Sequence, residues 1–288
     1  MQECIRESDF GHGMRELVNT TEDRTARDYS KVPSRLLFVK VCGLNIAYWS
    51  AGAGRPLLLL HGWGHDSGSF GQVFDFLSTR YQVFALDLPG FGKSDPPPLP
   101  WGSLEYANLV LAFMDALSIR EPSVIAHSFG ARIVIQLASR SSPVFRSLVL
   151  VSAAGLKNRS IRLAFKRLVA KCAKGLSVYG GEVGKNLKNW IYDSVASSNY
   201  LRVPPDMKGT FVKIVNEDLG PLLSSISVPT LLIWGSQDQE MPLKLGERMQ
   251  ARIPKARLVV FSNVGHFPHS ERPSRFLSVV CSFLDENV

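Results

Sequence analysis

The stretch Val124-Ile125-Ala126-His127-Ser128-Phe129-Gly130-Ala131 decides how this chain is read. An apolar run enters it, small residues flank one serine, and Arg132-Ile133-Val134-Ile135-Gln136-Leu137 leaves it with the pattern of a helix. Strand, sharp turn and helix in that order make a nucleophile elbow, which carries a serine at the apex of a strained turn. Small neighbours are needed because strand and helix crowd together there and the backbone takes a conformation that side chains resist. Gly130 fills the second small position of the G-x-S-x-G pattern, and Ala126 replaces the first glycine at the cost of one methyl. Ser128 is the candidate nucleophile. Short patterns of this kind also arise by chance, so the rest of the chain must carry the decision.

Outward from the elbow, apolar runs alternate with helical stretches. Leu36–Val41 and Leu44–Trp49 read as an antiparallel hairpin around Cys42-Gly43. Pro56–Leu60 and Ser147–Val151 are apolar on both faces, as strands buried in a parallel sheet must be. Gln82–Leu86, Pro229–Trp234 and Arg257–Phe261 complete the strands, with helices expected over about 69–78, 103–117 and 273–284. Alternation of this kind predicts an α/β fold with a mostly parallel central sheet flanked by helices. The rhythm stops between Ser152 and Ser227, which points to an inserted helical cap. The expected organisation is a polar tail over 1–32, a core over 33–156 and 224–288, and a cap over 157–223.

Composition narrows the classes. Apolar residues make up 45% of the 288 positions and charged residues 20%, enough for a sizeable core and too apolar for wholesale disorder. No run reaches the ~18 apolar residues of a membrane span, and no basic-then-apolar leader opens the chain. The four cysteines, at 4, 42, 172 and 281, are scattered with no C-x-x-C pair. They read as free thiols in a reducing compartment, so a cytoplasmic location is expected, with no zinc site. No metal or phosphate-binding signature is present, and no cofactor is expected.

Two further residues sit just past late strands, where open α/β sheets place their sites. Asp238 follows Trp234-Gly235-Ser236-Gln237, and His266 follows Asn263-Val264-Gly265. A serine hydroxyl is a poor nucleophile until a base removes its proton. Histidine titrates near working pH, and a carboxylate holds its ring and stabilises the imidazolium. Alone, Asp238 reads as a turn residue and His266 as a loop residue; Ser, Asp and His in that order, each past a strand, read as one catalytic set. Glu240 is the reserve carboxylate if Asp238 points away. His61, His127 and Asp87 read as structural, while His65 and His269 are left open.

The chain therefore resembles the α/β-hydrolase superfamily, in its capped esterase-like branch, from about residue 36 onward. The resemblance rests on H-G-W-G at 61–64, D-x-P-G-x-G-x-S at 87–94, A-H-S-F-G at 126–130, W-G-x-x-D at 234–238 and G-H at 265–266. These motifs are specific for fold and triad and weak for substrate. Ala126 departs from the pattern without removing the nucleophile. The resemblance implies an oxyanion hole made by the backbone N–H groups of Trp63 and Phe129, which would stabilise the developing alkoxide. It also implies hydrolysis of a small-molecule carboxylic ester through an acyl-enzyme. Carbon–carbon bond hydrolysis, thioester hydrolysis, cofactor-free perhydrolysis and a ligand receptor with little turnover are the alternatives on the same residues. Trp63, Phe129, Ile161, Phe165, Leu168 and Phe267 are the expected pocket.

Charge is concentrated in the cap. Residues 157–223 hold twelve Lys and Arg against five Asp and Glu, which is +7 of the chain's +8. Seven of those basic residues fall between 157 and 174 with no acid among them. At helical spacing, Ile161, Phe165 and Leu168 share one face with Arg162, Lys166 and Lys171 opposite. The stretch reads either as a lid over the pocket or as a docking face for anionic lipid or an acidic carrier protein. No nucleic-acid partner is expected.

Overall fold

A computed structural model describes residues 34–140, 144–157 and 203–287. Among them, eight strands form one sheet in the order β1-β2-β4-β3-β5-β6-β7-β8. They are β1 (Arg35–Val41), β2 (Leu44–Ala51), β3 (Pro56–Leu60), β4 (Gln82–Leu86), β5 (Ser123–His127), β6 (Leu148–Val151), β7 (Thr230–Gly235) and β8 (Ala256–Phe261). β1 and β2 pair antiparallel as the expected hairpin, β2 pairs antiparallel with β4, and every remaining pair is parallel. The helices are α1 (Gly71–Ser78), α2 (Ser103–Ala116), α3 (Phe129–Ala138), α4 (Lys208–Asn216), α5 (Leu243–Gln250), α6 (Pro268–Glu271) and α7 (Pro273–Glu286).

The both-faces-apolar strands have a direct structural reading. Successive side chains of a strand point to opposite faces, so β3 sends Leu58 and Leu60 to one core and Leu57 and Leu59 to the other. On the first face they meet Tyr106 and Phe113 of α2, Ile133 and Val134 of α3, and Leu245 and Met249 of α5. On the second they meet Phe74 and Leu77 of α1 and Phe276 and Val280 of α7. All four leucines are fully buried, and removing one such side chain typically costs about 2–5 kcal/mol. The two cores hold the sheet rigid from both sides, which fixes where its strand ends point.

That topology selects the site. The chain goes from β3 to its neighbour β4 and then returns across β3 to β5 on the other side. The direction reversal opens a crevice at the carboxyl ends of β3 and β5, the switch point where such sheets bind ligands.

Of the residues expected in the cap, 158–202 lie outside the described residues, and with them Ile161, Phe165, Leu168 and the basic stretch. Residues 203–223 are described. They contain a short 3₁₀ turn at Pro205–Met207, α4, and the start of a second 3₁₀ turn at Gly220–Ser225. α4 is tied to the loop before α2: Trp101 N–H donates to Thr210 Oγ1 at 3.0 Å, and Lys213 Nζ donates to the Pro100 carbonyl at 2.7 Å. Just past α4, Glu217 Oε1 accepts the Ser103 N–H at 2.8 Å and so caps α2.

Candidate active site

Ser128 stands between β5 and α3 with φ +47° and ψ −103°, a conformation that non-glycine residues rarely adopt. Its backbone is held there from both sides: its N–H donates to the Val151 carbonyl at 2.9 Å and its carbonyl accepts the Ala154 N–H at 3.1 Å. The demand for a small residue at 130 is literal. A Cβ on Gly130 would lie 2.5 Å from the Leu60 carbonyl oxygen and 2.9 Å from that of His61. Ala126 belongs to β5 and its methyl is fully buried in the first core, so the first small position tolerates alanine.

α3 starts directly after the serine, leaving the Phe129 N–H without an intrahelical acceptor. Gly130 N–H donates to the His61 carbonyl at 3.1 Å, which binds the first turn of α3 to the loop that follows β3. That loop carries Trp63, whose ring meets the Phe129 ring edge-on at 5.3 Å. Neither the Trp63 nor the Phe129 N–H has an acceptor among the described residues.

The ring pair belongs to a larger aromatic group. Trp63 also meets Phe91 at 5.0 Å and Phe211 of α4 at 5.2 Å, and Phe129 meets Tyr106 at 5.1 Å. Tyr106 is fixed in turn, its hydroxyl donating to the Pro89 carbonyl at 2.9 Å. Phe91, Tyr106 and Phe211 escaped the sequence reading, because nothing in the spacing of residues 91, 106 and 211 ties them to one another. Phe267, expected at the pocket, packs among imidazoles, 5.0 Å from His127, 5.1 Å from His266 and 5.2 Å from His65.

Asp238 and His266 are brought together. His266 Nδ1 and Asp238 Oδ2 are 2.9 Å apart, with both side chains almost wholly buried. The other oxygen of Asp238 accepts the N–H groups of Glu240 at 3.0 Å and Met241 at 2.8 Å, closing the turn after β7. The carboxylate is thus fixed by its own loop before it fixes the imidazole. Glu240 is not needed as the reserve partner. It lies across the ring, with Oε2 3.8 Å from His266 Nε2. No hydrogen bond joins Ser128 Oγ to His266 in this structure; catalytic hydrogen bonds are often long before substrate arrives and tighten with it.

Two side chains grip the backbone of His266. Glu271 of α6 accepts the Gly265 N–H at 2.8 Å through Oε2 and the Phe267 N–H at 3.1 Å through Oε1, bracketing the histidine from both sides. His127 Nε2 donates to the His266 carbonyl at 2.9 Å, so the residue before the serine is tied to the residue that would serve it. Its Nδ1 has no partner among the described residues and faces Gly62, where an added Cβ would lie 2.6 Å away.

His127 is one of three buried, neutral imidazoles around the site. Burial, reinforced by the neighbouring His269 and His266, holds it well below the usual histidine range. Burial pushes His61 and His269 down to about 4 each. His61 Nε2 accepts the Leu88 N–H at 2.9 Å, so it links β3 to the loop after β4. His269 has no partner for either ring nitrogen among the described residues. Asp87 accepts the N–H groups of Ser67 and Lys93 at 2.9 Å each, together with the Ser67 hydroxyl, and so ties the loop after β3 to the loop after β4. Among the described residues there is no cluster of three or more His, Cys, Asp or Glu placed to hold a metal ion. Among them, too, no helix is long and apolar enough to cross a membrane.

Comparison with known proteins bears on the family of the chain. A family model described as the Alpha/beta hydrolase family matches residues 57–279. A pimeloyl-[acyl-carrier protein] methyl ester esterase of Nitrosomonas europaea is 31% identical, over 80% of this chain and 95% of its own. A 2-hydroxy-6-oxo-6-phenylhexa-2,4-dienoate hydrolase of Comamonas testosteroni is 27% identical, over 93% of this chain and 99% of its own. Among solved structures, a membrane phospholipase A described as a bacterial virulence factor superposes with a TM-score of 0.71 at 27% identity. That match covers 95% of this chain and 91% of the phospholipase.

Proposed function

The chain belongs to the alpha/beta hydrolase family, and on that premise we propose that it is a serine hydrolase of carboxylic esters working through an acyl-enzyme. The observation that carries the reading is the 2.9 Å contact between His266 Nδ1 and buried Asp238, beside a serine held in a strained elbow. Ser128 Oγ attacks the ester carbonyl while His266 Nε2 takes its proton. The tetrahedral oxyanion is met by the N–H groups of Trp63 and Phe129, at the positive end of α3. Collapse breaks the ester C–O bond, and the imidazolium returns the proton to the departing alkoxide, which leaves as alcohol. Water, deprotonated by the same imidazole, then hydrolyses the acyl-serine and restores both groups. The aromatic group around Trp63 supplies an apolar bed for the acyl chain, with residues 157–223 as the cap that completes it.

An ester is favoured because the relative with the higher identity is a methyl ester esterase. Carbon–carbon bond hydrolysis is the second reading, since the dienoate hydrolase matches nearly the full chain. The test is a screen of p-nitrophenyl esters graded by acyl length, with vinylogous 1,5-diketone acids alongside. Ester turnover should be lowered by roughly 10³-fold or more in Ser128→Ala with the fold intact, and a fluorophosphonate should label Ser128 alone. Turnover of the diketone acids without turnover of any ester would select the second reading. Near-normal ester rates in purified Ser128→Ala would remove the nucleophile assignment altogether.

A reducing, cytoplasmic setting is proposed on the free thiols Cys42 and Cys281. A docking role for the basic run 157–174 rests on its charge alone. Glutamine at Arg162, Lys166 and Lys171 should then weaken binding to anionic vesicles or an acidic carrier protein at low salt. Absence of binding by the unaltered chain at low ionic strength leaves only the lid.

A further inference from the structure

We propose that Glu240 is a specificity-determining residue, biasing the site toward esters whose alcohol part is neutral or cationic and against those whose alcohol part is anionic. The inference rests on the ester-hydrolase reading and extends it to the charge of the substrate.

The imidazole of His266 stands between two carboxylates with different duties. Asp238 Oδ2 takes Nδ1 at 2.9 Å and is buried, so it orients the ring. Glu240 Oε2 lies 3.8 Å from Nε2, and its side chain is 51% exposed. Nε2 is the nitrogen that hands its proton to the departing alkoxide. A leaving group that receives that proton must therefore pass within a few ångströms of the Glu240 carboxylate.

The placement is built into the turn. The Glu240 N–H donates to Asp238 Oδ1 at 3.0 Å and the next N–H, of Met241, donates to the same atom at 2.8 Å. The Met241 carbonyl accepts Trp234 Nε1–H at 2.6 Å, and the Trp234 ring is fully buried. The bonds that set the orienting carboxylate also set Glu240 across the ring from it. Among the described residues no Lys or Arg forms a salt bridge with Glu240; its one ion-pair contact is His266. The nearby Glu271 is occupied by the Gly265 and Phe267 N–H groups. A carboxylate beside Nε2 that no Lys or Arg pairs with among the described residues attracts a cationic alcohol and repels an anionic one. Partial exposure limits the effect to a modest factor and makes it sensitive to salt.

The test uses the full chain and three butyrate esters of similar size: those of choline, 3,3-dimethylbutanol and isethionate. The measured quantity is kcat/KM for each, in the unaltered protein, Glu240→Gln and Glu240→Lys, at low and high salt, with thermal midpoints as the check on folding. The cationic-to-anionic ratio should fall on the order of tenfold in Glu240→Gln and further in Glu240→Lys, and the difference should shrink at high salt. Equal loss on all three esters in both variants would mark Glu240 as a positioning residue and overturn the inference. So would an unchanged ratio with good turnover. Turnover of p-nitrophenyl butyrate with none of these three would overturn the inference alone, and no turnover of any p-nitrophenyl ester would overturn the ester reading with it.

Discussion

At the scale of single residues, His266 is held by more groups than it could serve. Asp238 fixes Nδ1, Glu271 fixes the two flanking N–H groups, and His127 fixes the carbonyl. Asp238→Asn should lower kcat by roughly 10³–10⁴-fold, because an amide either favours the wrong tautomer or rotates and gives up the turn. Steady-state kinetics with a matched melting curve checks it. Glu271→Ala frees the loop without touching the ring, and a misplacement of about 1 Å can cost 10²-fold. It should therefore reduce kcat by roughly tenfold or more with little change in KM; a change in KM alone would refute a positioning role. Ser128, Asp238 and His266 were legible in the sequence because each stands a few residues past an apolar run. His127 was legible as structural but not its partner, and Glu271 was not legible at all, since a side chain that grips backbone leaves no spacing pattern. Glu240 was legible as a carboxylate near the base, and only the fold shows on which side of the ring it lies.

At the scale of elements, the crossing of β3 and α3 at Gly130 is a tight joint directly under the elbow. Any Cβ there would meet two backbone carbonyls, which cannot rotate away. Gly130→Ala should destabilise the protein by about 1–3 kcal/mol, read as a fall in the denaturant midpoint, and should lower activity by displacing Ser128. A shift under ~0.5 kcal/mol would mean that α3 can slide on β3. The strands and most helices followed from hydrophobic period, the order of the strands in the sheet did not, and α5 was missed. Its sequence, Leu243-Lys-Leu-Gly-Glu-Arg-Met-Gln, is polar and carries a glycine at its centre, which argues against a helix. The structure gives the reason: a Cβ at Gly246 would lie 2.8 Å from the Trp234 ring, so the glycine lets α5 close on β7. Close packing outweighs local propensity there, and no helical or strand period links Gly246 to Trp234.

At the scale of the whole molecule, three imidazoles kept neutral by burial couple stability to acid. In the unfolded chain each histidine titrates near 6.5. In the fold, His61 and His269 are lowered to about 4 and His127 is lowered well below its usual range. As pH falls through 6.5 the unfolded state takes up protons that the folded state refuses, so unfolding becomes easier. The loss continues down to about 4 for two of them, at up to ~1.4 kcal/mol per pH unit for each group. Melting temperature should fall steadily from pH 7 to pH 5, with net proton uptake on unfolding. His269→Phe, set among Phe70 and Phe276, should flatten that slope and raise the melting temperature at pH 5. An unchanged slope would show that His269 is not a source of the acid sensitivity.

The carbonyl that His127 grips lies 139 residues further along the chain. A ribosome making this protein would therefore release the elbow long before the imidazole it needs. On the proposed mechanism the nascent chain carries, for that interval, a serine with no base, and chemistry waits until β8 and the loop after it have joined the sheet. Reactivity is thus a late event in the life of each molecule, arriving only when the last strand is in place.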